Sequence, residues 1–176
     1  LSFRSYLAPH IVFSLSTIKL YAPECTSVQL GRWVEKGYLT RLIKGYYMFS
    51  DIQLGDRDLF LIANTVYAPS YISAESALSY YGLIPEAVYQ TTCTTTRHTY
   101  RFDTSVGELV YSSIKPQLFF GYSLLPYKDH NICIATPEKA LLDFLYKYPH
   151  IKTFEDIEEL RLNTNELSKI NREVYI

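Results

Sequence analysis

Four histidines, three cysteines and 18 carboxylates carry most of the reactive chemistry of this 176-residue chain, and their spacing argues against an assembled catalytic centre. His10, His98, His130 and His150 are scattered, at no interval from one another or from Cys25, Cys93 and Cys133 that matches a metal-ligand set. Asp56 and Asp58 flank Arg57 and carry enough charge to hold Mg²⁺, but capping the helix that starts there is the plainer use of Asp58. Glu138 and Asp143 lie five apart in one helical stretch, so they point to different sides and do not form a close acid/base pair. Cys93 stands in a threonine-rich run with no base beside it. No Walker A, G-x-S-x-G or dinucleotide fingerprint occurs. No catalytic residue, metal or cofactor is therefore expected, and an enzyme is the minority reading.

Basic residues give a stronger signal. Between 26 and 49, Arg32, Lys36, Arg41 and Lys44 are opposed only by Glu35, a net +3 in a chain of formal charge -1. Such an asymmetry is the footprint of a phosphate-binding surface, although ordinary solvating charges on a helix and hairpin would look the same. The elements that would position these cations are legible. Thr26 and Gln29 form a capping box, and Leu30, Trp33, Val34 and Gly37 follow as a helical stripe with Gly37 as its left-handed stop. Gln29, Arg32 and Lys36 then share the solvent face. Two runs rich in β-branched and aromatic residues, Tyr38 to Ile43 and Tyr46 to Phe49, flank Lys44 and Gly45 as a hairpin flanks its turn. A helix followed by a β-ribbon is the outline of a winged helix-turn-helix.

Composition frames the rest. With 48% hydrophobic and 20% charged residues the chain is globular, long enough for one domain or two small ones. Three distant cysteines favour free thiols in a reducing cytoplasm over a disulfide framework. The apolar run Leu7 to Leu20 is broken by Pro9, His10 and Lys19, so neither a signal peptide nor a membrane span is expected. A start at Leu1 rather than Met points to a truncated or processed chain. Charge divides the chain: net +4 through residue 50 and net -5 from residue 51 onward, with a turn-prone link from Ser50 to Gly55. The expected organisation is α+β, with a winged helix-turn-helix over 1–50 and a mixed helix and antiparallel-sheet domain over 56–176.

Within the first part, a short helix lies inside Ser2 to Ala8, and a second, capped by Ser14 or Ser16, ends before Pro23. In the second part, helices are expected over Asp58 to Tyr67, and over Ala74 to Tyr81 with Ser73 as cap. Another is expected after Thr136 and Pro137, and an acidic one from Thr153 with Phe154, Ile157 and Leu160 buried. Strands are expected over Val88 to Thr96, Tyr100 to Asp103, Glu108 to Ile114, Phe119 to Leu124 and Asn131 to Ala135. The tail from Asn163 through Val174 shows no assignable pattern.

Three segments in this order, the hairpin from Gly37 to Tyr47, Ser73 AESALSYYGLI and Ile134 ATPEKALLDFLY, resemble the AbiEi-type antitoxins, bacterial transcriptional regulators of AbiE toxin–antitoxin systems. The resemblance spans roughly residues 10 to 162 and departs from the family at the shortened start. It implies an N-terminal winged helix on operator DNA and a C-terminal domain associated with antitoxicity. It also implies a nucleotidyltransferase-like cognate toxin. On this reading Ser27, Gln29, Arg32 and Lys36 meet DNA from the recognition helix, and Arg41 and Lys44 from the wing, with two copies on repeated half-sites. Any protein partner would meet the polar positions Glu75, Ser76, Ser79, Glu138, Lys139 and Asp143. A second reading is an interaction module whose winged helix no longer binds DNA, and a third is a nucleic-acid-modifying enzyme.

Overall fold

The computed structural model describes residues 4–7, 9–85 and 88–171, the side chain of Phe154 excepted, and its class is α+β. Three short helices come first: α1 (Arg4–Leu7), α2 (Leu15–Lys19) and α3 (Ser27–Glu35). α1 falls where the first helix is expected, with Ser2, Phe3 and Ala8 outside the described residues. Ser14 caps α2 in a reciprocal box with Thr17. Strands β1 (Phe13–Ser14), β2 (Leu39–Ile43) and β3 (Tyr46–Phe49) form an antiparallel sheet in the order β1-β3-β2. β1 is too short to show a period in sequence. Side chains alternate across this sheet. Phe13, Leu39 and Phe49 join Leu7, Ile18 and Leu30 in one buried cluster. Leu42 and Met48, with Ile11 and Val12, enter the larger cluster of the following residues, so apolar packing continues across the link at 50–55.

The second part opens with α4 (Asp56–Val66). Gly55, not Asp58, is its N-cap; Asp58 is the third helical residue and reaches back to accept from the Gly55 N–H at 2.9 Å. Strand β4 (Ser70–Ile72) stands between α4 and α5 (Ala74–Tyr80), where three residues leave no readable periodicity. Ser73 is positionally the N-cap of α5, but its hydroxyl makes no capping bond. Thr92 caps the helix from another strand, its Oγ1 accepting from the Ser76 N–H at 2.9 Å, and Ala74 adopts a left-handed φ of 49° at the junction. Ser73 Oγ is thereby released for the buried network described below.

Strands β5 (Gln90–Thr95), β6 (Tyr100–Thr104), β7 (Gly107–Ser113), β8 (Tyr122–Tyr127) and β9 (His130–Ala135) complete a six-stranded sheet, ordered β6-β7-β5-β4-β9-β8. It is mixed rather than antiparallel. The β6–β7 hairpin folds back so that β7 lies parallel to β5, and the β8–β9 hairpin likewise sets β9 parallel to β4. α4 covers one face, where the Tyr111 hydroxyl donates to the Ala63 carbonyl at 2.8 Å. The opposite face, carrying Tyr71 and Thr94, meets α6 (Pro137–Lys147), which starts with Thr136 as cap and Pro137 in its first turn. α7 (Phe154–Glu159) is capped by Thr153. Ile157, expected inside, is 41% exposed, because α7 lies at the surface; Leu160 beyond it is half-buried, and the side chain of Phe154 lies outside the described ones. α8 (Thr164–Leu167) occupies the tail that sequence leaves unassigned, held by Leu167 and Ile170 against the larger cluster; Val174 lies outside the described residues.

Candidate nucleic-acid interface

α3 is fixed at both ends by local chemistry. At its start Thr26 Oγ1 accepts from the Gln29 N–H at 3.3 Å, and Gln29 Oε1 accepts from the Thr26 N–H at 2.9 Å. At its end the Gly37 N–H reaches the Val34 carbonyl and the Tyr38 N–H the Trp33 carbonyl, a Schellman closure that requires the left-handed φ of 71° at Gly37. Leu30 is fully buried and Trp33 and Val34 half-buried, which leaves Ser27, Val28, Gly31, Arg32, Glu35 and Lys36 exposed. Gln29 is half-buried and spends its Oε1 on the cap, so it is less available to a ligand than its place in sequence implies. Two members of the exposed face are missed by a search for polar residues. Val28 is 63% exposed, and a Cβ added at Gly31 would meet nothing within 4 Å. Their spacing from Ser27 and Arg32 on the helix is the signal that finds them.

The hairpin follows without a break. α3 packs against β2, and β2 pairs with β3 through Leu39↔Phe49, Thr40↔Met48, Arg41↔Tyr47 and Ile43↔Tyr46. The register shifts between Arg41 and Ile43, which leaves Leu42 to turn into the larger core while Arg41 stays exposed. Gly45 closes the turn with a φ of 90° and lifts Lys44 to the exposed tip. Arg32, Lys36, Arg41 and Lys44 are all exposed, and among the described residues none of them forms a salt bridge. Adjacent elements thus carry four exposed cations outside any salt bridge of the described residues, with Glu35 the one carboxylate between 26 and 49.

The positions expected to meet a protein partner divide sharply. Lys139 and Asp143 are 3% and 5% exposed and engage each other, with Lys139 Nζ 2.6 Å from Asp143 Oδ1. Asp143 Oδ2 also accepts from Ser73 Oγ at 2.7 Å, Tyr71 OH at 2.8 Å and Thr94 Oγ1 at 3.3 Å. These two residues, and buried Ser76, bind the sheet to its helices and have no surface to offer, which corrects the expectation. Burial, with the facing Asp143 carboxylate, pushes the Tyr71 hydroxyl well above its ordinary range. Glu75 is half-buried and accepts from Lys147 and from the Tyr148 hydroxyl. Ser79 and Glu138 are half-exposed, and Glu138 Oε1 accepts from the Asn171 N–H.

The remaining reactive groups assemble little. His10 and His130 come together across the two parts of the chain, ring centroids 5.3 Å apart, with His130 Nε2 3.1 Å from the Pro9 carbonyl oxygen. Burial, then the neighbouring His130, pulls the His10 pKa below its ordinary value. Asp58 is buried and accepts from the Tyr127 hydroxyl and from Lys128 Nζ at 2.9 and 2.7 Å, tying α4 to the β8–β9 turn. Burial pushes the Cys93 thiol far above the range of a reactive thiolate. Among the described residues no group of three or more His, Cys, Asp or Glu is placed to hold a metal ion, and no helix is long and apolar enough to cross a membrane. No protein-family model matches the chain, and no curated protein matches it.

Proposed function

We propose that α2, the turn through Pro23, α3 and the β2–β3 hairpin act as a winged helix-turn-helix on DNA, and that the protein is an autorepressor and antitoxin of an AbiE-type toxin–antitoxin system. The observation that carries the DNA-binding reading is the exposed set Arg32, Lys36, Arg41 and Lys44 on α3, its C-cap and the hairpin beside it, none of which forms a salt bridge among the described residues. Phosphate neutralisation supplies most non-specific affinity for DNA, and cations already paired within the protein would contribute less to it. Gly31 adds support. Mid-helix glycine costs about 1 kcal/mol relative to alanine, and nothing inside the protein at this position needs the missing side chain. Close approach of an external surface to α3 would give it a use. In the bound state Ser27, Arg32 and Lys36 face the major groove, Arg41 and Lys44 hold the backbone or the minor groove, and two copies occupy repeated half-sites.

The antitoxin part rests on the ordered resemblance of the hairpin, Ser73 to Ile84 and Ile134 to Tyr146 to the AbiEi-type family. Its seat would be the acidic second part, through surface positions rather than Lys139 and Asp143. Two experiments separate the parts. Fluorescence anisotropy with DNA from upstream of the protein's own gene is expected to show specific binding over a scrambled duplex. Co-expression with the neighbouring gene product, a nucleotidyltransferase-like toxin on this reading, is expected to rescue growth. Rescue without DNA binding would replace this reading by that of an interaction module; DNA binding without rescue would leave a regulator and remove the antitoxin.

A further inference from the structure

The N-terminal ends of the parallel strands β5 and β7 open into a cavity of about 570 Å³, within the size range of small-molecule sites. It is walled by α5, β5, β7, α6 and α7, so it is a concave cleft rather than a helix face. Ile84, Val88, Phe144 and Leu160 give it an apolar lining, and the Tyr89 and Tyr148 rings border it. Glu75, Glu108 and Glu159 contribute carboxylates and His150 an imidazole, and among the described residues no lysine or arginine lines it. Two of these carboxylates do have cationic partners, but Lys147 at 2.9 Å from Glu75 and Arg101 at 2.8 Å from Glu108 both lie outside the lining. Among the described residues Glu159 has no salt bridge.

We infer that this cleft is a binding site for a small organic cation, an ammonium or guanidinium carried on an apolar, aromatic or alkyl body. An apolar lining rewards the body by removing it from water, and carboxylates at its margin select the charge. The exposed Tyr89 ring at the border favours a cation further through its π face, whereas the Tyr148 ring already carries Lys147 Nζ 5.0 Å from its centroid. An anion of the same shape would be repelled chiefly by Glu159, the carboxylate with no salt bridge among the described residues, and a neutral isostere would gain only the apolar contact. Burial pushes the Glu75 carboxyl up, but the Tyr148 hydroxyl and the Lys147 ammonium outweigh it, so the group sits below its ordinary range and stays ionised at neutral pH. Among the described residues none before Glu75 lines the cleft, which sets the site apart from Arg32, Lys36, Arg41 and Lys44.

The test uses three ligands of one shape: tryptamine, its neutral counterpart 3-ethylindole and its anionic counterpart indole-3-propionate. Each is titrated into the ¹⁵N-labelled full chain at mildly alkaline pH. Saturable amide shifts centred on Ile84, Phe144 and Leu160 are expected for tryptamine, with weaker binding of 3-ethylindole and weakest binding of indole-3-propionate. Glu159→Gln and Glu108→Gln should each weaken tryptamine binding roughly twofold to fivefold, the range of a partly exposed charge pair. Val88→Lys, which sets an ammonium inside the cleft, should abolish it. The melting temperature of each variant confirms that it is folded. Equal binding of the three ligands, shifts scattered away from the cleft, no shift up to the solubility of tryptamine, or unchanged affinity in folded Glu159→Gln and Val88→Lys would each overturn the assignment.

Discussion

Removing the carboxylate of Asp143 tests how the sheet and helices of the second part are held. Four donors converge on it: Lys139 Nζ at 2.6 Å, Ser73 Oγ at 2.7 Å, Tyr71 OH at 2.8 Å and Thr94 Oγ1 at 3.3 Å. In Asp143→Ala, Lys139 at 3% exposure keeps a charge with no counter-ion, and two short hydroxyl bonds lose their acceptor. Breaking a buried ion pair from one side costs about 3–5 kcal/mol, against a total of about 5–15 kcal/mol for a whole protein. Lys139→Met leaves Asp143 its three hydroxyl donors and should cost less, about 2–3 kcal/mol. Because each single change strands what the other removes, the double variant should be less destabilised than the sum of the two by about 1–3 kcal/mol. Urea denaturation of the chain, both single variants and the double variant at neutral pH measures all four corners. A cost for Asp143→Ala below about 1 kcal/mol, or strict additivity, would refute the claim that the cluster is a closed structural network.

Three further outcomes follow from the same geometry. Asp58→Ala removes the acceptor shared by Gly55, Tyr127 and Lys128 and should destabilise the chain by about 2–3 kcal/mol in denaturant titrations, with Lys128→Ala costing much less because its side chain is 48% exposed. His10 has a folded pKa below its ordinary 6.5, so the unfolded chain binds the proton more readily; stability should be full above about pH 6.5 and fall as pH drops below it, and melting curves of His10→Gln should lose that component of the acid sensitivity. Gly31→Ala should raise stability by about 0.5–1 kcal/mol, since its new methyl meets nothing, whereas Gly31→Glu should weaken DNA binding without unfolding α3.

What could be read in the sequence is what local chemistry decides. Thr26 with Gln29, Gly37 one residue past the C-cap, Gly45 in its two-residue turn and Thr136 before Pro137 each act within a few residues, and the corresponding elements are in place. What was not readable depends on partners distant in the chain. Ser73 has the sequence of a cap, yet Thr92 does that work because β4 and β5 lie side by side. Lys139 and Asp143 read in sequence as polar helix positions open to a partner, and only the arrival of Tyr71, Ser73 and Thr94 from the sheet shows them to be buried. Parallel pairing of β5 with β7 leaves no local trace, since it is set by the fold-back of β6. The acidic apolar cleft draws on residues from Glu75 to Leu160 and has no signature in any one stretch. In α3, by contrast, helical spacing alone places Arg32 and Lys36 on the exposed side, and the hairpin adds Arg41 and Lys44.

The salt dependence of DNA binding tests the central proposal most directly. With Arg32, Lys36, Arg41 and Lys44 each neutralising one phosphate per copy, log K against log salt should fall with a slope of about -3 to -4 for each copy bound. Arg41→Ala/Lys44→Ala should reduce the magnitude of that slope by about 2 and weaken binding to all sequences alike. A slope and affinity unchanged in that folded variant would remove the hairpin from the interface, and a chain with no salt-dependent binding to any upstream duplex would contradict the DNA-binding account altogether.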